Sequence, residues 1–121
     1  VVAPTTAGDR LNAEISVEPT TGRVDVMMYD RSWTNNALVD VTYASSADGG
    51  QTWTSRRITK SGFDPAAYGV PSGSGVRPFI GDYTGIVSFA GGAGMAWTGP
   101  GRTYGTLPTN LEIYYGSASA P

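Results

Sequence analysis

Hydrophobic and polar residues alternate with a period of two along much of this chain, and turn residues interrupt the alternation at short intervals. In the run 23–29, Val24, Val26 and Met28 fall on one face and the intervening residues on the other. Such alternation is typical of β-strands, and clusters of glycine, proline and asparagine are typical of turns. The pattern predicts strands at 13–18, 23–29, 38–45, 52–59, 85–90, 95–98 and 111–115. It predicts no helix longer than about three turns.

The predicted strands form two series that align as an internal repeat with an offset of about 70 residues. The run 39–45 aligns with 111–117, 15–17 with 86–88, and 27–30 with 96–99. Four strands in meander order make one blade of a β-propeller. We therefore predict an all-β chain with two four-stranded antiparallel blades, read out of phase in the strand order d-a-b-c-d-a-b-c.

This reading divides the chain into four segments. Residues 1–4 are expected to form the d strand of a preceding blade, 12–60 a complete blade, 61–78 a long loop, and 79–121 a blade without its d strand. Two blades cannot close a ring, because each blade buries its faces only against neighbours. Either the remaining blades belong to a larger chain, or identical copies assemble. In the second case Val1 to Ala3 would pair with 111–115 of another copy.

The amino-acid composition excludes several kinds of site and disfavours several kinds of partner. The 121 residues include no cysteine and no histidine, which excludes disulfides, thiolate ligands and any catalytic triad with a histidine base. The net charge is −2, with no basic run, which disfavours nucleic-acid binding. No apolar run is long enough to span a membrane. We therefore predict no cofactor, no metal, and neither a nucleic acid nor a membrane as partner.

The most distinctive motif is SADGGQTW at 46–53. An aspartate followed by two glycines is a tight-turn signal, because the carboxylate accepts backbone N–H bonds and glycine tolerates positive φ. A threonine and a tryptophan then open a strand, where the indole ring can pack against a neighbouring sheet. The motif is predicted to be structural, and its defining residues are Ser46, Asp48, Gly50, Thr52 and Trp53.

These eight residues match the Asp-box pattern Ser-x-Asp-x-Gly-x-Thr-Trp, and by this motif the chain resembles the sialidase-like, BNR-repeat family of β-propellers. The stretch RPFIGDYTG at 77–85 resembles one common in non-catalytic members of that superfamily. The resemblance implies a six-bladed propeller, so three copies of a two-blade chain would complete the ring. It also implies a carbohydrate-associated protein, which we expect to be extracellular or secreted.

The resemblance further implies where a ligand binds. In propellers of this family the Asp-box turns lie on one rim and ligands meet the opposite rim, which here corresponds to the loops 5–12, 30–37, 61–78 and 99–110. Guanidinium groups suit carboxylates, amides suit hydroxyls, and aromatic rings suit the faces of sugars. On these loops we predict a glycan-binding set: Arg31, Trp33, Asn35, Asn36 and Arg77.

Catalytic residues stay unassigned. The resemblance implies that sialidase chemistry needs three arginines, a tyrosine nucleophile activated by a glutamate, and an aspartate acid/base. Candidates for these roles are Arg10, Arg31 and Arg77 and the pair Glu112 and Tyr114. Glu14 and Glu18 share a predicted strand at even spacing, so they could form the carboxylate pair of a glycosidase, although a solvated face explains them as well. The chain has no Arg-Ile-Pro motif, however. The favoured interpretation is a lectin-like propeller module. The alternatives are an exo-sialidase-like glycoside hydrolase segment and a purely structural assembly unit.

Overall fold

The chain folds into antiparallel β-sheets. The computed structural model describes Val2 and residues 8–73, 75–101 and 111–121, and for 70, 71 and 76 it describes the backbone alone. Within these residues there are two main sheets, of four and three strands, and a separate two-stranded hairpin. Neither main sheet closes on itself. The described part has no α-helix, so the predicted all-β class is confirmed.

The first sheet is a four-stranded meander. Its strands are β1 (Arg10–Val17), β2 (Val24–Asp30), β3 (Asp40–Ser46) and β4 (Thr54–Arg57). The turn between β1 and β2 is closed by Glu18, whose carboxylate accepts bonds from the backbone N–H groups of Thr20 and Thr21. Gly22 follows with φ of 75°, a conformation that costs glycine little. The four strands predicted between 13 and 59 are thus found, and they pair in sequence order.

The next segment differs from the sequence prediction. Residues 61–78 were expected to be one long loop, but they contain a short 3-10 turn at Pro65–Ala67 and a hairpin formed by β5 (Gly69–Ser72) and β6 (Gly75–Pro78). Prolines and glycines are turn signals in a sequence, so they conceal these strands. The two strands pair only with each other in the described residues, and such edge strands tolerate proline because one side needs no N–H donor.

The second main sheet has the strands β7 (Gly85–Phe89), β8 (Gly92–Pro100) and β9 (Leu111–Ser119). The sequence predicts a turn at 91–94, yet β8 already begins at Gly92. A Cβ at Gly92 would lie 1.9 Å from the carbonyl oxygen of Ala118 on β9, and one at Gly94 would lie 3.1 Å from the Tyr115 hydroxyl. These glycines therefore permit close strand pairing, and only the preceding residues form the turn.

The strand registers confirm the internal repeat for three strands of each sheet. The pairs opposite each other are Ile15 and Val26, Met27 and Tyr43, and Asp30 and Asp40 in the first sheet, and correspondingly Ile86 and Met95, Ala96 and Tyr115, and Gly99 and Glu112 in the second. The sequence alignment of the two series is thus reproduced residue by residue in the backbone hydrogen bonding.

The two sheets stack in the same orientation. We call the side of the first sheet with Met27, Tyr29 and Tyr43 its front face, and the side with Val26 and Met28 its back face; the repeat assigns the same names to the second sheet. The front face of the first sheet packs on the back face of the second, which presents Met95 and Trp97. Side chains alternate between faces along a strand, so one repeated pattern supplies both halves of this contact.

Buried polar groups join the sheets as well. The hydroxyl of Tyr29 donates to the carbonyl of Thr98 at 2.7 Å and accepts from its N–H at 3.1 Å. Arg23 donates to the carbonyl of Gly92 at 2.7 Å and pairs with Asp25 at 2.9 Å. Burial alone would raise the pKa of Asp25, but hydrogen bonding, chiefly from Arg23, outweighs it and lowers that pKa.

A smaller cluster lies on the back face of the first sheet. It consists of Val26, Met28 and Ala44, with Val2, Val24 and Trp53 packed against it. The prediction for Val1 to Ala3 falls mostly outside the described residues. Val2 itself is not part of a strand in the single chain.

We expect the Tyr29→Phe variant to lose about 1–3 kcal/mol of unfolding free energy, because it leaves the buried N–H and carbonyl of Thr98 without their partner. Urea denaturation followed by circular dichroism measures this loss. The Tyr83→Phe variant is the matched control, since that ring is exposed, and it should change stability by less than about 0.5 kcal/mol. Equal stabilities for the two variants would contradict the role assigned to Tyr29.

Candidate functional site: the Trp33 rim

The Asp-box turn and the Trp33 loop lie at opposite ends of the first sheet. Along β2 and β3, Val24 pairs with Ser46 at one end and Asp30 with Asp40 at the other. The six intervening steps correspond to about 20 Å of strand. The Asp box follows Ser46, and the loop with Trp33 follows Asp30. We call the end of the sheet with Asp30 and Asp40 the Trp33 rim.

Trp33 lies in a 3-10 turn, Ser32–Thr34, and 45% of its surface is exposed. Its indole N–H points inward and donates to the hydroxyl of Thr42 on β3 at 2.7 Å. The hydroxyl of Thr34 accepts from the N–H of Leu38 and donates to its carbonyl, which closes the loop. The polar edge of the indole is therefore satisfied within the protein, while the ring is presented to solvent.

Two buried carboxylates support this loop. Asp30 and Asp40 lie opposite each other at the strand ends and are almost fully buried. Like charges placed directly opposite are destabilising, and each carboxylate here has an arginine partner: Arg10 lies 3.4 Å from Asp30, and Arg57 lies 2.9 Å from Asp40. Asp30 also accepts from the N–H of Ser32 and from the Thr42 hydroxyl. The two arginines thus offset the negative charge of the carboxylates at the base of the loop.

The pKa of Asp30 depends on the balance between burial and the effect of these partners. Burial alone raises the pKa of a carboxyl group, because it disfavours the charged form. The hydrogen bonds from Ser32 and Thr42 and the charge of Arg10 outweigh that effect, so the pKa of Asp30 lies below its ordinary value. Asp30 is therefore ionised at neutral pH and serves the loop as a fixed acceptor.

Arg31 and Asn36 meet on the outer side of the same loop. The Arg31 guanidinium donates to the carbonyl of Asn36 and lies 3.7 Å from the carboxylate of Asp9. The side-chain oxygen of Asn36 accepts from the N–H of Asp9 at 3.1 Å. Asn35 and Asn36 have φ of 51° and 68°, a region that asparagine occupies more readily than most residues. The loop therefore exposes both amide residues at a sharp turn.

The structure brings four of the five predicted ligand-binding residues together in one loop: Arg31, Trp33, Asn35 and Asn36. Arg77 lies apart from them, on β6 of the hairpin, where its backbone pairs with Val70. Beside the hairpin, a groove of about 280 Å³ separates the start of β1 from the approach to β7. Its lining is Leu11, Asn12, Pro65, Pro78, Phe79, Ile80, Gly81 and Asp82. Five of these residues belong to the stretch 77–85 and three to the loops 5–12 and 61–78, but the sequence did not predict that they form one groove.

A second cavity, of about 420 Å³, lies beside β9. Trp97 and Tyr114 stack there with ring centroids 6.2 Å apart, and Ile58 and Lys60 approach from the segment after β4. Trp97 itself is buried.

The Asp box is a self-contained turn. Asp48 accepts from the N–H groups of Gln51 and Thr52 at 3.0 and 2.9 Å and from the Thr52 hydroxyl at 2.5 Å, and Ser46 donates to it at 2.8 Å. Trp53 closes the turn by donating to the carbonyl of Gly50 at 3.0 Å. Its ring is half-buried, less than the sequence led us to expect. Hydrogen bonds to Thr52 hold the pKa of Asp48 at about 2.

The residues considered for sialidase chemistry come from several elements. Arg10 and Arg31 lie at the same end of the first sheet, and each faces a carboxylate of its own chain. Glu18 lies beyond the end of β1, and its bonds within the turn hold its pKa at about 2. The predicted pairing of Glu14 and Glu18 on one strand is therefore wrong. Tyr114 donates its hydroxyl proton to the carbonyl of Pro100.

Two features are absent from the part of the chain that the structure describes. Residues 2, 8–73, 75–101 and 111–121 contain no cluster of three or more acidic side chains arranged to hold a metal ion. The same residues include no helix with the length and apolarity needed to cross a membrane.

No protein-family model, curated protein or solved structure matches this chain.

We expect the Asp48→Asn variant to melt at a lower temperature than the wild type at neutral pH, because an amide replaces an ionised acceptor of several bonds. The pH dependence should also change. A carboxyl whose pKa falls from about 3.9 unfolded to a lower folded value stabilises the fold above the unfolded pKa and loses that contribution as pH falls. Thermal melts between about pH 5 and pH 2 should therefore show a smaller decline for the variant.

The matched control for this experiment is Asp82→Asn, which removes one carboxylate from an exposed position. Its pH profile should follow that of the wild type. Identical profiles for the Asp48 and Asp82 variants would show that the Asp-box bonds do not contribute to stability.

Proposed function

We propose that this chain is a carbohydrate-binding, lectin-like module of the BNR Asp-box type, and that its glycan binds at the Trp33 rim. One observation carries the proposal. The Trp33 ring is exposed, yet its N–H is bound to Thr42 inside the protein. A side chain ordered before the ligand arrives loses little conformational entropy on binding. Such a ring is a suitable platform for the apolar face of a sugar.

The neighbours of Trp33 suit the polar side of a sugar. Asn35 and Asn36 lie at the exposed turn of the loop, and amide groups can donate to and accept from hydroxyls. Arg31 adds a positive charge at the same place, although Asp9 offsets part of it. A neutral or acidic glycan fits this combination. A site of this size on one surface loop is expected to bind weakly, and repetition of the site in an assembly would raise the avidity.

We further propose that the two sheets are successive blades of a propeller with six blades. The support is their shared register, their front-to-back stacking and the proximity of their first strands, where Ser16 of β1 accepts from the N–H of Ser88 of β7 at 3.0 Å. The missing blades would come from other copies, three in a ring, or from the rest of a longer chain. The proposed location of the protein is extracellular.

We expect the Trp33→Ala variant to bind glycan about tenfold more weakly, which corresponds to 1.4 kcal/mol, because the stacking surface is lost. A glycan array with the wild-type protein identifies the ligand, and titration by isothermal calorimetry then gives the dissociation constants. The Trp33→Phe variant keeps a ring and should retain more of the affinity. Circular dichroism should show an intact fold for both variants.

The control is Tyr83→Ala, which removes an exposed ring outside the Trp33 loop and should leave affinity unchanged. A fluorogenic sialoside, tested with the same preparations, separates binding from hydrolysis. Undiminished binding by Trp33→Ala would refute the assigned site, and enzymatic turnover would favour the glycoside hydrolase alternative.

A further inference from the structure

The second sheet leaves a large apolar surface uncovered. On its front face, Ile113 is 74% and Tyr115 73% exposed, and Val87 and Phe89 on β7 are exposed beside them. β8 lies between β7 and β9 and has the small residues Gly94 and Ala96 on this face, and Val87 and Tyr115 border the same hollow there, so the apolar side chains form one patch. Contiguous apolar patches on soluble proteins mark interaction sites more often than chance exposure.

The internal repeat shows what kind of surface covers this patch. Ile113 and Tyr115 are equivalent to Val41 and Tyr43 of the first sheet, by the register of the two ladders. Val41 and Tyr43 are buried, because the back face of the second sheet packs on them. The front face of the second sheet thus repeats a surface whose partner is already known within the molecule. That partner is the back face of a sheet of the same repeat.

The first sheet carries an equivalent of that partner surface. Ile86, on the back face of the second sheet, packs against the core between the sheets. Its equivalent in the first sheet is Ile15, which is 65% exposed on the back face. The chain therefore presents, on opposite sides, both halves of the contact that its two sheets make with each other.

Val2 lies on the back face of the first sheet, at the position to which the adjoining sheet contributes a residue in the contact described above. In the contact between the two sheets, Ile58, which follows β4, lies over Gly116 and packs with Trp97 on the back face of the second sheet. The equivalents of Trp97 and Gly116 are Met28 and Ala44, and Val2 packs against the cluster that contains both of them. Val2 on the back face of the first sheet therefore corresponds to Ile58, the residue after β4, on the back face of the second sheet.

The outer edge of β9 is also open. In the first sheet the equivalent strand, β3, pairs with β4 along its outer edge, whereas β9 pairs only with β8 in the part of the chain that the structure describes. An unpaired edge presents a row of backbone donors and acceptors that another strand can satisfy. Tyr115 belongs to both surfaces, because it lies on the edge strand β9 and its side chain is on the front face.

We infer that the front face of the second sheet binds the back face of the first sheet of a second copy of this chain. In that contact Ile113 and Tyr115 of one copy lie against the region of Ile15 and Met28 of the other, and Val2 of the second copy comes beside the open edge of β9. The contact is head-to-tail, so repetition leads to a ring or a filament. The contact itself does not depend on the number of copies. A ring of three copies rests on the six-bladed propeller proposed above.

Mass measurement tests the contact. Size-exclusion chromatography with light scattering should give the wild type three times the 12.6 kDa chain mass. Ile113→Asp blocks the front face and Ile15→Asp the back face, and each should be a monomer, because a buried unpaired charge weakens association on the order of a hundredfold or more. Both positions are exposed in the single chain, so melting temperatures of the isolated variants should agree. Tyr83→Asp, an exposed position outside both faces, is the control and should assemble normally.

Mixing the two variants gives the decisive result. Each retains the face that the other lacks, so an equimolar mixture should form a dimer of one copy of each and grow no further. A monomeric wild type would overturn the inference. Loss of assembly in Ile113→Asp but not in Ile15→Asp would also overturn it, because it indicates front-to-front pairing. Glycan binding by the monomeric variants is measured separately, so failure of the contact is distinguishable from failure of the proposed function.

Discussion

Tyr29 extends from the front face of the first sheet into the second and bonds both backbone groups of Thr98. Around it the apolar side chains of the two sheets interlock, and Arg23, neutralised by Asp25, bonds the carbonyl of Gly92 at the edge of the same contact. Apolar burial supplies the attraction, which has no preferred direction. The buried hydrogen bonds permit few alternative alignments, since any shift would leave polar groups unpaired.

The two ends of the first sheet are built by different means. At one end the Asp box satisfies its own backbone within a few residues, so that turn depends little on its surroundings. At the other end Asp30 bonds the Trp33 loop directly, and Asp30 and its opposite residue Asp40 are both buried and compensated by Arg10 from β1 and Arg57 from β4. Buried ion pairs are sensitive to the loss of either partner. The Trp33 rim is therefore the end where shape depends on the complete sheet.

The two sheets repeat one backbone pattern with different side chains. Where the first sheet has Met27 and Tyr29 on its front face, the second has Ala96 and Thr98, and where the first has Ala44 on its back face, the second has Gly116. A Cβ at Gly116 would lie 2.9 Å from the Trp97 ring, so glycine admits the indole there. A large side chain is thus matched by a small residue beside it, as close packing requires. The contact within the chain and the contact proposed between copies are thus similar without being identical.

Features that depend on neighbours in the chain could be read from the sequence. These are the alternation of β2 and β3, the Asp-box turn and the repeat, because strand periodicity and turn chemistry are local. The loop that carries Trp33 and its separation from the Asp box also follow from strand order. The tertiary structure alone decided that Asp30 and Asp40 are buried with arginines, that the Trp33 N–H turns inward to Thr42, and that Glu18 closes a turn. Burial and long-range hydrogen bonds depend on which strands meet in space, and no short stretch of sequence contains that information.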